Sequence, residues 1–205
     1  IYENPAVKAA IGYIPDEIFY YPSATLEDMR RFYRGIYPTF DDALFDKLYD
    51  VFQLPKRTPI RRFSKGMQKQ AAFWLALCCM PDYLILDEPV DGLDPVMRRQ
   101  VWSLVLADVA QRGTTVLVSS HNLRELEDLC DQVGLLHGGH ILFQRELDQL
   151  RCDFAKIQFA ARPLPSREQL AQLFPIISMH SSGSIAEMVV RGNPIQIQQK
   201  LSVFH

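Results

Sequence analysis

The chain has 205 residues, of which 48% are hydrophobic, and it carries a formal net charge of −2. This length fits one domain, or one domain with an appendage, and the apolar content is sufficient for a core. The near-neutral charge argues against a protein that binds nucleic acid over its whole surface. The most apolar run, residues 71–80, is too short to cross a bilayer, so any membrane contact is expected to come through partner proteins.

The first 80 residues predict one short strand, at residues 11–14, followed by several helices. Thr25 and Asp28 have the spacing of a capping box in which Asp takes the place of Glu. Helices are predicted over residues 25–37, from residue 39 onward, and over residues 64–80. Residues 23–80 are therefore expected to form a helical subdomain that is inserted between two strands of a sheet.

The middle of the chain alternates predicted strands and helices, which is typical of an α/β core. The predicted elements are a strand that begins at Tyr83, a helix at 94–111, a strand at 114–119 and a helix at 122–130. Asp94 and Pro95 supply an N-cap and a proline at the first helical position. Gly138 and Gly139, between two apolar segments, predict a β-hairpin.

Beyond residue 150 the pattern changes to that of a small α+β unit. The predicted elements are strands at 154–160, 176–179 and 185–191, with helices at 166–174 and from Pro194 onward. This segment shows no cluster of catalytic residue types. We interpret it as a regulatory or dimer-forming appendage, and packing alone explains it as well. The expected domains are therefore 1–150 and 151–205.

Two adjacent carboxylates, Asp87 and Glu88, end the apolar strand that begins at Tyr83, and this strand is expected to be buried on both faces. Open α/β sheets bind ligands at the carboxyl ends of their strands, and Mg²⁺ favours carboxylates together with phosphate oxygens. Asp87 is therefore the candidate metal ligand. Because strand side chains alternate, Glu88 points elsewhere and is the candidate general base for a water aligned on a γ-phosphate. His121, after the next strand, is the candidate hydrogen-bond donor to that phosphate.

Each of these features also has a plainer structural explanation. Buried strands that end in Asp-Glu are common in α/β proteins, and a histidine after a strand is more often a surface or capping residue. Ser64-x-Gly66 before a helix is by itself an N-cap with a flexible turn. The order and spacing of all these elements in one chain favour the functional interpretation, because they rarely coincide.

Together these motifs resemble those of the ATP-binding subunits of ABC transporters, over residues 10 to 150. The matching segments are the Walker B strand (84–89), the signature (64–68), the D-loop (92–94), the switch histidine (His121) and the strand before the Q-loop (11–15). The resemblance implies a P-loop NTPase-like α/β fold with a mainly parallel sheet. It also implies Mg²⁺-dependent ATP hydrolysis in a head-to-tail dimer, coupled to membrane-spanning subunits on the cytoplasmic face of the cell membrane.

The resemblance also implies which residues contact the nucleotide. They are Ser64, Lys65, Gly66, Met67 and Gln68 of the signature, with Asp94 and Asp16. Lys65 and Met67 depart from the usual Leu-Ser-Gly-Gly-Gln sequence, whereas Ser64 and Gly66 keep a hydroxyl and a bare backbone. Lys65 either adds positive charge near the phosphates or is a solvated side chain. Asp16 replaces the Q-loop glutamine, and an ionised carboxylate cannot donate a hydrogen bond.

A phosphate loop of the form G-x-x-x-x-G-K-[S/T] occurs nowhere in the 205 residues. In the family this loop, with an adenine-stacking aromatic residue, precedes the segment that matches Ile11. We therefore expect the chain as given to be a truncated piece that binds ATP very weakly, if at all, as an isolated monomer.

Three functions fit the sequence, and the ATPase subunit of an ABC exporter fits best. The signature variant is similar to those of drug, lipid or peptide exporters. A non-catalytic regulatory or scaffold subunit is favoured by the missing phosphate loop but opposed by the intact Asp87, Glu88 and His121. A soluble ABC ATPase that acts on nucleic acid or ribosomes is disfavoured by the near-neutral charge.

Overall fold

The structure, a computed structural model, describes residues 3–193 and Ile197. The chain divides into two compact units, Ile1–Leu123 and Arg124–His205. The sequence places the domain boundary near residue 150 instead, and the domain limits stay a prediction. The helix predicted from Pro194 lies outside the described residues. No helix in the described part of the chain has both the length and the apolar character that a bilayer crossing requires.

The first unit is a parallel sheet with helices inserted between its strands. Its elements are α1 (Pro5–Ala9), β1 (Ile11–Ile14), α2 (Leu26–Ile36), α3 (Asp42–Phe52), a 3₁₀ turn (Ile60–Arg62), α4 (Lys65–Cys78), β2 (Tyr83–Asp87), α5 (Pro95–Arg112) and β3 (Thr115–Ser119). The strands lie in the order β1-β2-β3, and both pairings are parallel. The predicted α/β sheet with a helical insertion between β1 and β2 is confirmed.

Local side-chain caps start α2 and α5 at the positions that the sequence predicts. The Oγ1 atom of Thr25 accepts the Asp28 backbone N–H at 3.2 Å, and the Asp28 carboxylate accepts the Thr25 N–H at 3.0 Å. Hydrogen bonds from Thr25 hold the pKa of the Asp28 carboxyl below its usual value. At the start of α5, Asp94 accepts two backbone N–H groups, at 2.9 and 3.0 Å. Each cap satisfies amides that the first helical turn leaves unpaired.

One face of the parallel sheet is buried within residues 3–193, and the other is not. Leu84 and Leu86 of β2 are almost fully buried. On the opposite face, Tyr13, Tyr83 and Leu117 are more than half exposed. The expectation that β2 is buried on both faces is therefore wrong for the described structure, because alternate residues of the strand point to opposite sides.

An aromatic cluster forms the core of the helical insertion. Trp74 of α4 is fully buried, and its Nε1–H donates to the backbone carbonyl of Phe45 at 2.9 Å. The ring centroids of Phe45 and Phe52 lie 4.8 and 5.8 Å from that of Trp74. Arg30 of α2 lies 4.6 Å from the centre of the Phe45 ring and forms an ion pair with Asp42 of α3 at 2.7 Å. These contacts join α2, α3 and α4 into one packed group.

After β3 the chain continues through short helices and somewhat longer strands. They are α6 (Leu123–Leu126), β4 (Gln132–His137), β5 (His140–Glu146), α7 (Leu147–Asp153), β6 (Phe154–Ala160), α8 (Arg167–Ala171), β7 (Ile176–Ser182) and β8 (Ile185–Arg191). The predicted hairpin at Gly138 and Gly139 is confirmed, and both glycines have positive φ, +56° and +79°, as the favoured two-residue hairpin turns require.

The helix predicted over residues 122–130 is wrong in length, because α6 ends at Leu126. The backbone N–H groups of Leu129 and Cys130 both donate to the Leu126 carbonyl at 3.1 Å. Two donors on one carbonyl close a turn, and the chain then enters β4 at Gln132. Competing turn hydrogen bonds of this kind leave no clear signal in the hydrophobic pattern.

The second unit contains an antiparallel sheet in the order β6-β8-β7. Its core includes Leu170, Phe174, Met188 and Val190, all nearly or fully buried. Met188 and Val190 lie on one face of β8, and Leu170 of α8 and Phe174 belong to the same core cluster, as is usual for antiparallel sheets that are packed on a single side. The predicted small α+β appendage is confirmed as a fold, and its role stays a prediction.

Candidate functional site

The carboxyl ends of β2 and β3 place Asp87 next to Ser119. Parallel pairing sets these two residues opposite each other. The Ser119 hydroxyl donates to Asp87 Oδ1 at 2.5 Å and accepts the backbone N–H of Glu88 at 3.1 Å. A single hydroxyl therefore orients both the Asp87 carboxylate and the Glu88 backbone. Ser119 is not among the site residues predicted from the sequence. Its position in the strand register, opposite Asp87, is what identifies it.

Glu88 and His121 form a hydrogen-bonded pair at the same edge of the sheet. Glu88 Oε2 lies 2.9 Å from His121 Nδ1. The Glu88 side chain is 24% exposed and the His121 side chain 72% exposed. Because an ionised carboxylate only accepts hydrogen bonds, the contact favours the proton on Nδ1. The structure thus places Glu88 and His121 in direct contact. From the sequence, Glu88 is assigned to the attacking water and His121 to the γ-phosphate.

The backbone of Glu88 has an unusual conformation, with a φ of +42°. For a residue other than glycine, this left-handed region costs about 1–3 kcal/mol and persists only where the surroundings hold it. Ser119 accepts the Glu88 N–H, and the Glu88 carbonyl accepts from the Asp91 N–H at 3.4 Å and from Lys69 Nζ. Contacts on both sides of the residue therefore hold its backbone.

Asp91 joins this group, although no motif assigns it a role in the site. One donor atom each from Glu88, Asp91 and His121 lie within 4.8 Å of one another. The backbone N–H of Asp91 donates to the Glu88 carbonyl across the turn that follows β2. The Asp-Gly pair at positions 91–92 is the sequence signal for this turn. These three donors do not include Asp87, whose assignment as the metal ligand stays a prediction.

Asp16 is linked to the end of β2 through Lys69 of α4. The Nζ atom of Lys69 lies 3.3 Å from Asp16 Oδ1 and donates to the backbone carbonyl of Glu88. The Lys69 side chain is 8% exposed, and that of Asp16 54%. Asp16 follows β1 at the same edge of the parallel sheet as Asp87, and its carboxylate faces the Lys69 ammonium group. Lys69 belongs to no motif position, and its signal in the sequence is a charge two positions before the most apolar run, residues 71–80.

The signature residues form the first turn of α4. Ser64 Oγ accepts the Met67 backbone N–H at 3.2 Å, which confirms the predicted N-cap. The side-chain amide of Gln68 donates to the Phe63 carbonyl at 3.0 Å, so this side chain turns back onto its own chain. Ser64 and Lys65 are exposed. The nucleotide contacts expected of the signature, of Asp94 and of Asp16 stay predictions.

A close approach to the D-loop explains the glycine at position 66. A Cβ atom on Gly66 would lie 2.8 Å from the backbone oxygen of Gly92 and 3.8 Å from Leu93 Cδ2. Real Cβ contacts essentially never fall under 3.0 Å, so a side chain here would push the D-loop away. Gly66 therefore keeps the signature in contact with the D-loop of the same chain.

Replacing Gly66 by alanine is expected to displace the D-loop and to lower the free energy of unfolding by about 1–3 kcal/mol, the range for overpacking. Gly35→Ala is a matched control, because Gly35 is also helical but a Cβ there meets no atom within 4 Å. The control is expected to stabilise α2 by up to about 1 kcal/mol. Urea denaturation measures both, and a Gly66 variant as stable as the control would contradict the contact.

Comparison with known proteins finds a family model whose matched residues include every residue of this site. A family model described as "AAA domain, putative AbiEii toxin, Type IV TA system" matches residues 5–127. The ABC transporter ATP-binding protein YtrB of Bacillus subtilis is 34% identical over 160 residues, which cover 78% of this chain and 55% of YtrB. The bacitracin transport ATP-binding protein BcrA of Bacillus licheniformis is 35% identical over 108 residues, covering 52% of this chain and 35% of BcrA.

A solved structure of an ATP-binding subunit of an ABC transporter superposes with a TM-score of 0.65 at 27% identity, over 72% of this chain and 63% of that one. This chain belongs to the ATP-binding subunits of ABC transporters. The family resemblance expected from the Walker B strand, signature and D-loop is confirmed. This ABC subunit spans about half the length of YtrB and about a third of BcrA.

Proposed function

We propose that this chain is the ATP-hydrolysing subunit of an ABC exporter, which powers transport by a membrane-spanning partner. The observation that carries the proposal is the 2.9 Å contact between Glu88 and His121, beside the Asp87–Ser119 pair. Open α/β sheets bind their ligands at this edge. Adjacent strand ends here carry a carboxylate base (Glu88), an imidazole (His121) and a carboxylate of the type that binds metal ions (Asp87). This combination supports hydrolysis of a phosphate anhydride.

In the proposed reaction, Glu88 accepts a proton from the attacking water. The contact with His121 orients the carboxylate, and His121 stabilises charge that develops on the γ-phosphate. Asp87 is the proposed Mg²⁺ ligand, and the hard oxygens of Asp87 and Ser119 fit the preference of this ion. When bound with ATP, Mg²⁺ neutralises phosphate charge.

Ser64 and Gly66 are proposed to meet the γ-phosphate of an ATP molecule on a second ATP-binding subunit. They lie at the N-terminus of α4, a helix of 14 residues, and Ser64 and Lys65 are exposed there. Backbone N–H groups and the helix dipole favour an anion at such a position. The functional unit is therefore a head-to-tail dimer with an identical or a different ATP-binding subunit.

The names of the relatives support transport as the process. YtrB is named as an ABC transporter subunit and BcrA as a bacitracin transport subunit. We infer that this chain lies on the cytoplasmic face of the cell membrane, bound to a membrane-spanning subunit. Export is the direction that the signature variant favours.

The 205-residue chain by itself is expected to bind ATP very weakly, because its sequence lacks the phosphate-loop lysine and amides that grip the β- and γ-phosphates. Equilibrium titration of the chain with a fluorescent ATP analogue measures the affinity. A dissociation constant in the micromolar range would contradict this expectation and would place phosphate binding on residues present here.

Co-expression of the complete reading frame with its candidate membrane subunit tests the proposed function. We expect the two to purify together and to hydrolyse ATP, with turnover lost when EDTA removes Mg²⁺ and recovered when Mg²⁺ is restored. Turnover that is unchanged by EDTA would contradict the proposed metal. Purification without any polytopic membrane protein would contradict the transport role.

A non-catalytic ABC subunit is the second candidate, and the exposed Ser64 and Lys65 at the start of α4 fit this role. Such a subunit would complete a partner's site through Ser64 and Gly66 without turnover at its own Glu88. The sequence encoded upstream of Ile1 discriminates between the two candidates. A G-x-x-x-x-G-K-[S/T] loop there supports the enzyme, and a loop without the lysine supports the non-catalytic subunit.

A further inference from the structure

Lys69 places a charge where the protein is otherwise apolar. It lies on α4, close to the fully buried residues Ala71, Phe73 and Trp74, and its own side chain is 8% exposed. Burying an ammonium group is unfavourable unless it is paired and hydrogen-bonded. A lysine this deeply buried therefore requires hydrogen-bonding or charged partners. The identity of these partners indicates the role of Lys69.

Both partners of Lys69 belong to the candidate site. Its Nζ atom lies 3.3 Å from Asp16 Oδ1, across 53 positions of sequence, and it donates to the backbone carbonyl of Glu88. Asp16 follows β1, Glu88 follows β2, and Lys69 lies in the helix that the signature begins. One ammonium group thus joins the signature helix to the ends of two strands.

The contact with Glu88 is made to its backbone, where the conformation needs support. Glu88 has a φ of +42°. Ser119 holds the Glu88 N–H at 3.1 Å, while Lys69 and the Asp91 N–H hold its carbonyl. With both backbone groups held, the carboxylate reaches His121 at 2.9 Å. The Glu88 carbonyl accepts two hydrogen bonds, and the one from Lys69 is the shorter. Without Lys69 it would keep only the bond from the Asp91 N–H, at 3.4 Å.

We propose that Lys69 is a positioning residue that holds Glu88 in its left-handed conformation and so aims the carboxylate, with Asp16 as the counter-charge. The role rests on the proposed function, in which Glu88 is the general base. Lys69 acts through the Glu88 carbonyl and not on the reacting atoms. The signature helix and the base are thereby connected within one chain, and movement of α4 is transmitted to Glu88.

NMR of the nucleotide-free protein tests the positioning directly. The one-bond Cα–Hα coupling and the Cα shift of Glu88 report the sign of φ. We expect Lys69→Met to move both values away from those of the left-handed region. Lys69→Arg keeps a cationic donor and is expected to restore them. Lys47→Met, which removes an exposed lysine of α3, is the matched control and should leave Glu88 unchanged.

Kinetics of the complete transporter add a second readout. Lys69→Met is expected to lower kcat about 10- to 100-fold, the scale of a misplaced catalytic group, with KM for ATP changed less than about twofold. Lys69→Arg should recover most of kcat. Equal losses in Lys69→Met and Lys69→Arg, or a change confined to KM, would overturn the positioning role.

The two proposals fail in different ways. If Glu88→Gln leaves turnover intact, the proposed base is wrong, yet the Glu88 coupling still decides whether Lys69 holds that backbone. A folded Lys69→Met protein with unchanged Glu88 signals overturns the positioning role. If that variant does not fold, the wild-type protein decides: we expect a slowly exchanging Lys69 ammonium signal correlated with the Glu88 carbonyl carbon, and rapid exchange without that correlation overturns the proposal.

Discussion

Replacing Glu88 by glutamine is expected to lower kcat for ATP hydrolysis by about 10²–10⁴-fold, the usual contribution of a general base. The variant keeps the size of the side chain, but its neutral amide cannot take a proton from water. The amide oxygen still accepts a hydrogen bond, so the 2.9 Å contact with His121 can persist. ATP binding is therefore expected to remain, and ATP-bound dimers should accumulate.

Steady-state turnover of the complete transporter at saturating Mg²⁺-ATP measures this effect, and size-exclusion chromatography with ATP detects the dimers. Glu17→Gln is the matched control, because it makes the same chemical change at an exposed position after β1. The control should turn over ATP at the wild-type rate. Wild-type turnover in Glu88→Gln would remove Glu88 from the mechanism.

Replacing Trp74 by alanine is expected to lower the free energy of unfolding by about 3–5 kcal/mol, the range for deleting a buried large aromatic side chain. Trp74 is fully buried, stacks with Phe52 and contacts Phe45 at a centroid distance of 4.8 Å. The change also leaves the Phe45 carbonyl without the indole donor. Because the cluster joins α3 to α4, the loss should loosen the helix that carries the signature.

Urea denaturation followed by circular dichroism measures the loss. Phe19→Ala removes an aromatic ring that is 78% exposed and should stay within about 0.5 kcal/mol of wild type, as surface changes usually do. Trp74→Phe keeps an aromatic ring but drops the Nε1 donor, so it should lie between the two, at about 1–3 kcal/mol. A Trp74→Ala variant as stable as Phe19→Ala would show that the cluster does not support the fold.

Helix starts and the hairpin turn could be predicted because their partners are close in sequence. The Thr25–Asp28 capping box spans three positions, and the Asp94 cap spans two and three. The length of α6 could not be predicted in the same way, because its end depends on which donors reach the Leu126 carbonyl.

The candidate site was only partly visible in the sequence. Motif spacing singled out Asp87, Glu88 and His121, since each lies at or just after the end of a predicted strand. The residues that organise them, Ser119 and Lys69, carried no such signal. Their contacts join positions 19 to 53 residues apart, and which side chains meet over such separations depends on strand register and helix placement.

The sequence by itself determined the family, the order of the main helices and strands from β1 to β3, and the strand ends that carry the acidic pair. These features follow from hydrophobic periodicity and short-range hydrogen bonds, and both depend on residues that are close together in the sequence. Tertiary structure alone decided the left-handed turn at Glu88, the Lys69 link to Asp16 and the fit of Gly66 against Gly92. Each of these exists only after packing has brought distant backbone segments within a few ångströms of one another.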